Sequence, residues 1–155
     1  MDIIDLLPPE RVVVGIQAQD WEDAVRQIGR VLADTGVVEE RYIDGMVNTT
    51  KELGPYIVIA PGLAIPHGRP EDGVLQPCLA VGLLDPPIPF GNQENDPVRV
   101  MIALGATDAV QHVEALRQIA ETLSDEVKFE TLKNATTKQQ VLDILWGASY
   151  PTDQG

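Results

Sequence analysis

Apolar and polar residues alternate along the first third of the chain in patterns that predict one strand and two helices. The β-branched run Arg11–Ile16 predicts a strand, and the Asp20 side chain after it is suited to cap a helix. Apolar positions spaced three and four apart follow Asp20, and Gly36 is placed to end that helix. The same spacing predicts a second helix from about 39 to 53, with Tyr42 on its buried side.

The middle of the chain predicts the strands of a sheet. Short apolar runs at Tyr56–Ile59 and Leu63–Ile65 flank a Pro-Gly pair of the kind that occupies the centre of a type II turn. Leu79–Leu84 and Val98–Leu104 are almost wholly apolar, as in central strands that helices cover on both faces. The proline-rich stretch 85–97 between them predicts a loop or an edge segment.

The last third predicts three more helices. The first begins near Asp108, whose side chain can cap it, and two shorter ones follow at about 126–135 and 137–146. The polar residues 149–155 predict a flexible tail. The pattern as a whole predicts a single α/β domain over 1–148, with a mixed central β-sheet flanked by helices on both faces.

Charge and composition exclude several kinds of partner. The 155 residues carry a formal net charge of −13 at pH 7, so we expect no nucleic-acid partner, whereas a basic protein partner would suit the charge. No apolar run approaches the length that crosses a bilayer, so we expect no insertion into a membrane. Cys78 is the only cysteine, which favours a cytoplasmic protein without disulfides.

The two histidines, His67 and His112, are the candidates for imidazole chemistry. His67 lies between Pro66 and Gly68 just after a predicted strand, where it could act as a nucleophile or general base; the alternative is an ordinary loop histidine. His112 falls in the first turns of the Asp108 helix, where unpaired N–H groups attract an anion; the alternative is a half-buried helix residue. An anion that met both rings would account for both positions.

Lys51 and Arg69 are candidate cations for the same site, with a solvated surface charge as the alternative for each. The carboxylates Glu71 and Asp72 are most simply interpreted as charges that favour solubility. No glycine-rich nucleotide loop and no metal-ligand spacing is present in the sequence. We therefore expect neither a cofactor nor a metal.

One long segment resembles a known family. Residues 54–71 read GPYIVIAPGLAIPHGRPE, which is similar to the active-site segment of mannitol/fructose-type enzyme IIA of the bacterial phosphotransferase system (PTS). Further similar motifs lie at Phe90-Gly91, at Asn95–Val98 and on the helix of His112, so the resemblance extends from Leu6 to Trp146. The ascorbate branch of the family is the nearest in its motifs.

The resemblance implies a phosphotransferase that carries a phosphoryl group on His67. That histidine would accept the group on Nε2 from the phosphocarrier protein HPr and donate it to a IIB component, which phosphorylates sugar during transport by a membrane IIC component. His112 would hydrogen-bond the phosphoryl group or orient His67. A basic residue that is arginine in mannitol-type members falls on Lys51, where lysine offers a point charge instead of a two-pronged donor, so Arg69 is the other candidate cation.

Two alternatives to a transport role are left open, together with the oligomeric state. A regulatory protein of the same fold would use phosphorylation of His67 to change its affinity for a partner. A small hydrolase would use His67 as a general base. Phosphorylation by HPr would exclude the hydrolase, and transfer onward to IIB would favour transport over regulation.

Overall fold

A five-stranded mixed sheet forms the centre of the protein. The computed structural model describes residues 2–147, apart from the side chain of Pro55. The strands are β1 (Val12–Ile16), β2 (Val58–Ala60), β3 (Leu63–Ala64), β4 (Cys78–Ile88) and β5 (Val98–Gly105). Their order is β1-β4-β5-β3-β2; β1 is parallel to β4 and β3 to β5, whereas the β4–β5 and β2–β3 pairs are antiparallel.

Helices cover both faces of the sheet, which confirms the predicted α/β architecture. The helices are α1 (Ile3–Leu6), α2 (Trp21–Asp34), α3 (Arg41–Leu53), α4 (Ala109–Leu123), α5 (Glu126–Lys133) and α6 (Lys138–Trp146). Single 3-10 turns occur at Pro9–Arg11, Gly54–Ile57 and Pro70–Asp72. Helices α2 and α3 pack on one face, and α1, α4, α5 and α6 pack on the other.

The alternation of side chains along the central strands divides the core into two layers. On β4, Leu79, Val81 and Leu83 belong to the cluster that contains α1 and α4 to α6. Ala80 and Leu84, between and after them, belong to the cluster with α2 and α3. Because successive side chains of a strand point to opposite faces, an apolar run of this kind needs a helical layer on each side.

Two long helices begin at the predicted caps. The Asp20 carboxylate accepts a hydrogen bond from the backbone N–H of Asp23 at 2.8 Å, and the Asp108 carboxylate accepts one from Gln111 at 2.8 Å. Each cap satisfies an N–H group that has no partner within its own helix. The second cap sets where α4 begins and thereby the position of His112 in its first turn.

The region before β3 differs from the prediction. Residues 56 and 57 lie in a 3-10 turn, so β2 begins only at Val58. The cause lies at the end of α3, where Gly54 has a φ of +61° and redirects the chain before it can extend. The short helix α1 was not predicted, because four residues contain too few positions to show a helical period.

Strand β4 is longer than predicted. It continues through Asp85–Ile88, which the prolines there had indicated to be a loop or edge segment. The strand survives because a register shift after Leu83 lets Ile88 pair with Val98 of β5. The prolines therefore coincide with an irregularity in the ladder, where a missing N–H is tolerated.

Two predictions concern the C-terminal end of the chain. The tail predicted for 149–155 lies outside the described residues, and the domain boundary at 148 stays a prediction. Among the helices of residues 2–147, none is long and apolar enough to cross a membrane.

Arg11 is a buried cation that backbone carbonyls hold in place. Its side chain lies in the core, with the residue only 6% exposed. Its Nε donates to the carbonyl of Leu79 at 3.1 Å, and its Nη2 donates to the carbonyl of Leu6 at 3.2 Å. The guanidinium therefore joins the end of α1 to the start of β4.

We expect Arg11→Met to lower the free energy of unfolding by about 1–3 kcal/mol, because both carbonyls lose a buried donor. Urea denaturation followed by circular dichroism measures the change. Arg30→Met is the matched control: this arginine is exposed and pairs with Glu40, so its loss costs less than about 1 kcal/mol. Equal midpoints for the two variants would contradict a structural role for Arg11.

Candidate functional site

The two histidines meet where β3 and β5 end. Beyond β3 the chain continues beside β5 as far as His67, which forms a parallel bridge with Leu104. Strand β5 ends one residue later, and the next helix, α4, carries His112 in its first turn. Residues that follow parallel strands emerge at the same edge of a sheet. The two imidazole rings accordingly lie with their centroids 4.9 Å apart and their planes inclined by 64°.

Four hydrogen bonds hold the His67 loop in place. The donors and acceptors are Ile65 N to Ile57 O (2.9 Å), Leu104 N to Pro66 O (3.0 Å), Gly68 N to Tyr42 Oη (2.9 Å) and Arg69 N to the Asp72 carboxylate (2.9 Å). Since these bonds involve residues on either side of His67, the backbone that carries the imidazole is positioned before any ligand arrives.

A backbone carbonyl decides which nitrogen of His67 is free. Nδ1 lies 2.9 Å from the carbonyl oxygen of Ile65. A carbonyl only accepts hydrogen bonds, so Nδ1 must carry the hydrogen and donate it. A neutral imidazole has one N–H, so Nε2 keeps its lone pair. His67 is half-buried and lines an open cleft, which makes Nε2 a candidate nucleophile.

His112 is held in its neutral form. The pKa of its imidazole lies below the ordinary value, mainly because the ring is partly buried and secondarily because His67 is close. The ring at neutral pH therefore has one N–H donor and one acceptor nitrogen. A neutral ring of this kind can donate a hydrogen bond to an anion without adding positive charge beside His67.

A cleft of about 580 Å³ opens over the two rings. Its lining includes Ala109 at the start of α4, where the helix presents unpaired N–H groups and a partial positive charge. The lining also includes the ion pair of Arg69 and Glu52, in which Nη2 and Oε1 are 2.9 Å apart. The cleft therefore places a free imidazole nitrogen beside a helix N-terminus and an arginine, and its lining also includes Glu52 and Glu71.

The two predicted cations lie in different places. Arg69 lines the cleft of the histidines, whereas Lys51 is not part of that lining. The Nζ of Lys51 lies 3.9 Å from a carboxylate oxygen of Glu22 on α2. Of the two, the structure thus brings Arg69 to the histidines; charge stabilisation by either residue stays a prediction.

Three further residues belong to the candidate site, although their local sequence gives no sign of this role. The Tyr42 hydroxyl, predicted only to be buried, accepts from Gly68 N and donates to the Leu104 carbonyl at 2.7 Å. The Asp72 carboxylate, interpreted as a solubility charge, accepts from the backbone of the His67 loop. Glu52 is the third, through its ion pair in the cleft. The Tyr42 contacts join residues 26 and 62 positions apart, a separation that no local spacing pattern reveals.

The arrangement is suited to the transfer of a small anionic group. Phosphoryl transfer depends on positioning in line and on neutralising the charge of the equatorial oxygens, more than on proton chemistry. A positioned nucleophile, a neutral imidazole donor, a helix N-terminus and an arginine meet those needs. Within residues 2–147, His, Cys, Asp and Glu side chains form no group of three that could hold a metal ion.

Comparison with known proteins shows which family the chain matches. Residues 5–147 match the profile of the family described as "Phosphoenolpyruvate-dependent sugar phosphotransferase system, EIIA 2". The chain is 41% identical, over 130 residues, to the ascorbate-specific PTS system EIIA component of Shigella boydii serotype 4 (strain Sb227). That alignment covers 83% of this chain and 84% of the relative.

Solved structures show the same architecture. The mannitol-specific cryptic phosphotransferase enzyme IIA of Escherichia coli superposes with a TM-score of 0.83 at 34% identity, covering 94% of this chain and 98% of that one. The complex of enzyme IIA-mannitol and phosphorylated enzyme IIB-mannitol from Escherichia coli contains a chain that matches with a TM-score of 0.81 at 28% identity. That match covers 92% of this chain and 99% of the other.

We expect Tyr42→Phe to lower the free energy of unfolding by about 1–3 kcal/mol, because it leaves the Gly68 N–H and the Leu104 carbonyl without their hydroxyl partner. Urea denaturation measures the loss, and amide exchange at Gly68 should accelerate. Tyr56→Phe is the control: that residue is 81% exposed, so its change should stay within about 0.5 kcal/mol. Slow exchange at Gly68 in Tyr42→Phe would show that the hydroxyl does not hold the loop.

We expect His112 to make stability depend on pH. Its pKa in the folded protein lies below that of the unfolded chain, about 6.5, so the unfolded chain takes up the proton first as the pH falls. The free energy of unfolding should therefore decline below that pH and level off below the folded pKa. Urea denaturation from about pH 5 to pH 8 should show a smaller decline for His112→Gln.

An NMR titration of the imidazole signals tests the cause of this shift. In His67→Gln the pKa of His112 should rise towards its ordinary value, because a neighbouring ring that can become charged is gone. An unchanged pKa of His112 in that variant would leave burial as the sole cause.

Proposed function

The chain belongs to the EIIA 2 family of the phosphoenolpyruvate-dependent sugar phosphotransferase system, and we propose that it carries a phosphoryl group on His67 Nε2. The observation that carries this proposal is the hydrogen bond from Nδ1 of His67 to the Ile65 carbonyl. It leaves the lone pair on Nε2, in a cleft shared with His112 and Arg69. In this proposal the donor is HPr and the acceptor is a IIB component.

The proposed transfer is an exchange of bonds at phosphorus. The Nε2 lone pair forms the new N–P bond while the bond between phosphorus and the donor breaks, and its electron pair leaves with the donor. The second transfer reverses the first: the Nε2–P bond breaks, its electrons return to Nε2, and IIB takes the group. Nδ1 keeps its hydrogen throughout, so the Ile65 carbonyl can offset the positive charge that the ring gains on phosphorylation.

The neighbouring groups would act on the phosphoryl oxygens. His112 would donate one hydrogen bond, and the N-terminus of α4 would add its partial positive charge. Arg69 would supply the full charge and a planar pair of donors. We propose for Lys51, which lies near Glu22 outside the cleft lining, a contribution only at longer range.

The comparisons support a role in sugar transport, and we propose ascorbate as the transported compound. A relative with 41% identity is named an ascorbate-specific component, and a similar fold occurs in complex with a phosphorylated IIB protein. Transport itself would require a membrane IIC component. Two exposed apolar side chains of the cleft lining, Leu53 and Val113, suit docking of a protein surface over His67.

The proposal also includes the compartment and the extent of the carrier. The single thiol, Cys78, is buried and unpaired, which fits the reducing conditions of the cytoplasm. We take residues 1–148 as the carrier domain, of which 5–147 match the family profile.

Incubation with phosphoenolpyruvate, enzyme I and HPr should add one acid-labile phosphoryl group, measured by intact mass. His67→Ala should carry none, because it lacks the acceptor nitrogen. His112→Ala should still be phosphorylated, but about 10²-fold more slowly, because one donor to the phosphoryl oxygens is lost. Wild-type protein that stays unmodified beside a competent HPr would contradict the carrier proposal.

Onward transfer tests the transport role. Phosphorylated protein mixed with an ascorbate-type IIB should lose its group to that protein faster than to a mannitol-type IIB. Phosphorylation without transfer to either IIB would favour a regulatory role over transport. On heating, His67→Ala should still unfold cooperatively, at a midpoint lowered only by the loss of the Nδ1 hydrogen bond, which shows that a missing adduct does not reflect a failure to fold.

A further inference from the structure

The cation of the cleft already has an anionic partner. The Nη2 of Arg69 lies 2.9 Å from Oε1 of Glu52, and both residues line the cleft of the histidines. The two side chains are 59% and 60% exposed. An ion pair with this exposure is weak, because water solvates both charges. It can therefore open when a stronger anion arrives nearby.

The stability of α3 does not account for a glutamate at position 52. Glu52 occupies the last turn of the helix, where the backbone carbonyls create a partial negative charge that disfavours a carboxylate. Its partner in the cleft is 17 residues away, on the loop that carries His67. The main effect of this carboxylate therefore falls on Arg69.

We propose that Glu52 competes with the phosphoryl group on His67 for Arg69. The ion pair is closed in the free carrier and opens when His67 is phosphorylated. A phosphoryl group carries more negative charge than a carboxylate and offers three acceptor oxygens. The planar guanidinium can bind two of them at once, which a weak exposed pair cannot match. This inference rests on the proposed function.

The competition sets how firmly the carrier holds its phosphoryl group. Glu52 stabilises the unphosphorylated form through the ion pair, and its free carboxylate disfavours the phosphorylated form by repulsion. An interaction that differs between two states shifts the equilibrium between them by that difference. An arginine without a competitor would bind the phosphoryl group more tightly and oppose its release to the acceptor. Glu52 thus keeps the group transferable in both directions.

The equilibrium constant for exchange of the phosphoryl group with HPr tests the proposal. Glu52→Gln keeps the shape of the side chain and removes its charge, and should shift that constant towards the phosphorylated carrier by roughly two- to fivefold. Glu71→Gln is the matched control, because it removes an equal charge from the lining of the same cleft. The partner of Arg69 is Glu52 and not Glu71, so this variant should shift the equilibrium constant much less. An equilibrium constant does not depend on how well either variant docks.

Two further measurements separate competition from a structural effect. In an Arg69→Gln background, Glu52→Gln should no longer move the constant, because the group for which it competes is gone. In the wild type, the side-chain N–H signals of Arg69 should shift on phosphorylation. Thermal unfolding of unphosphorylated Glu52→Gln should stay close to that of the wild type.

The outcomes are distinct. Equal shifts for Glu52→Gln and Glu71→Gln, or a Glu52→Gln effect that persists without Arg69, overturn the competition and leave the carrier role intact. A wild-type protein that HPr cannot phosphorylate overturns the carrier role, and this inference with it.

Discussion

The backbone of Leu104 is the point on which the site depends. Its N–H donates to Pro66 and its carbonyl accepts from the Tyr42 hydroxyl, which in turn accepts from the N–H of Gly68. One residue near the end of β5 therefore joins the sheet, helix α3 and both sides of His67. Because β5 lies in the interior of the sheet, paired on both sides, this anchor moves little. The position of the imidazole is therefore set by an interior strand of the sheet.

The proposed role requires an acidic protein to hold an anion. The chain carries a net charge of −13, yet interactions between exposed charges fade beyond about 8 Å at physiological salt. The local groups therefore decide: the N-terminus of α4, neutral His112 and Arg69 face the space beside His67. In the proposed competition, Glu52 would moderate this attraction from within the same cleft. A carrier needs such moderation, since an anion held too well is not passed on.

Much of the fold could be predicted from local patterns. Near-continuous apolar runs predicted β4 and β5 as central strands, and the capping side chains Asp20 and Asp108 predicted where α2 and α4 begin. The main error of prediction, at the end of β4, arose where the structure depends on a partner from another strand. Strand β4 continues through Asp85–Ile88 because Val98 offers a pairing partner after the register shift, and a proline-rich run by itself does not show that partner.

By itself, the sequence determined the α/β class and the family, and it identified the two histidines as the candidates for imidazole chemistry. Apolar periodicity, capping side chains and the run around His67 are all local patterns. Only the tertiary structure decided which groups surround His67. The Nδ1 bond to Ile65 selects the free nitrogen, Tyr42 reaches the loop from another helix, and Arg69 meets Glu52. These contacts join residues that are far apart in the chain or depend on the path of the backbone. The spacing of residues along a sequence predicts neither kind of contact.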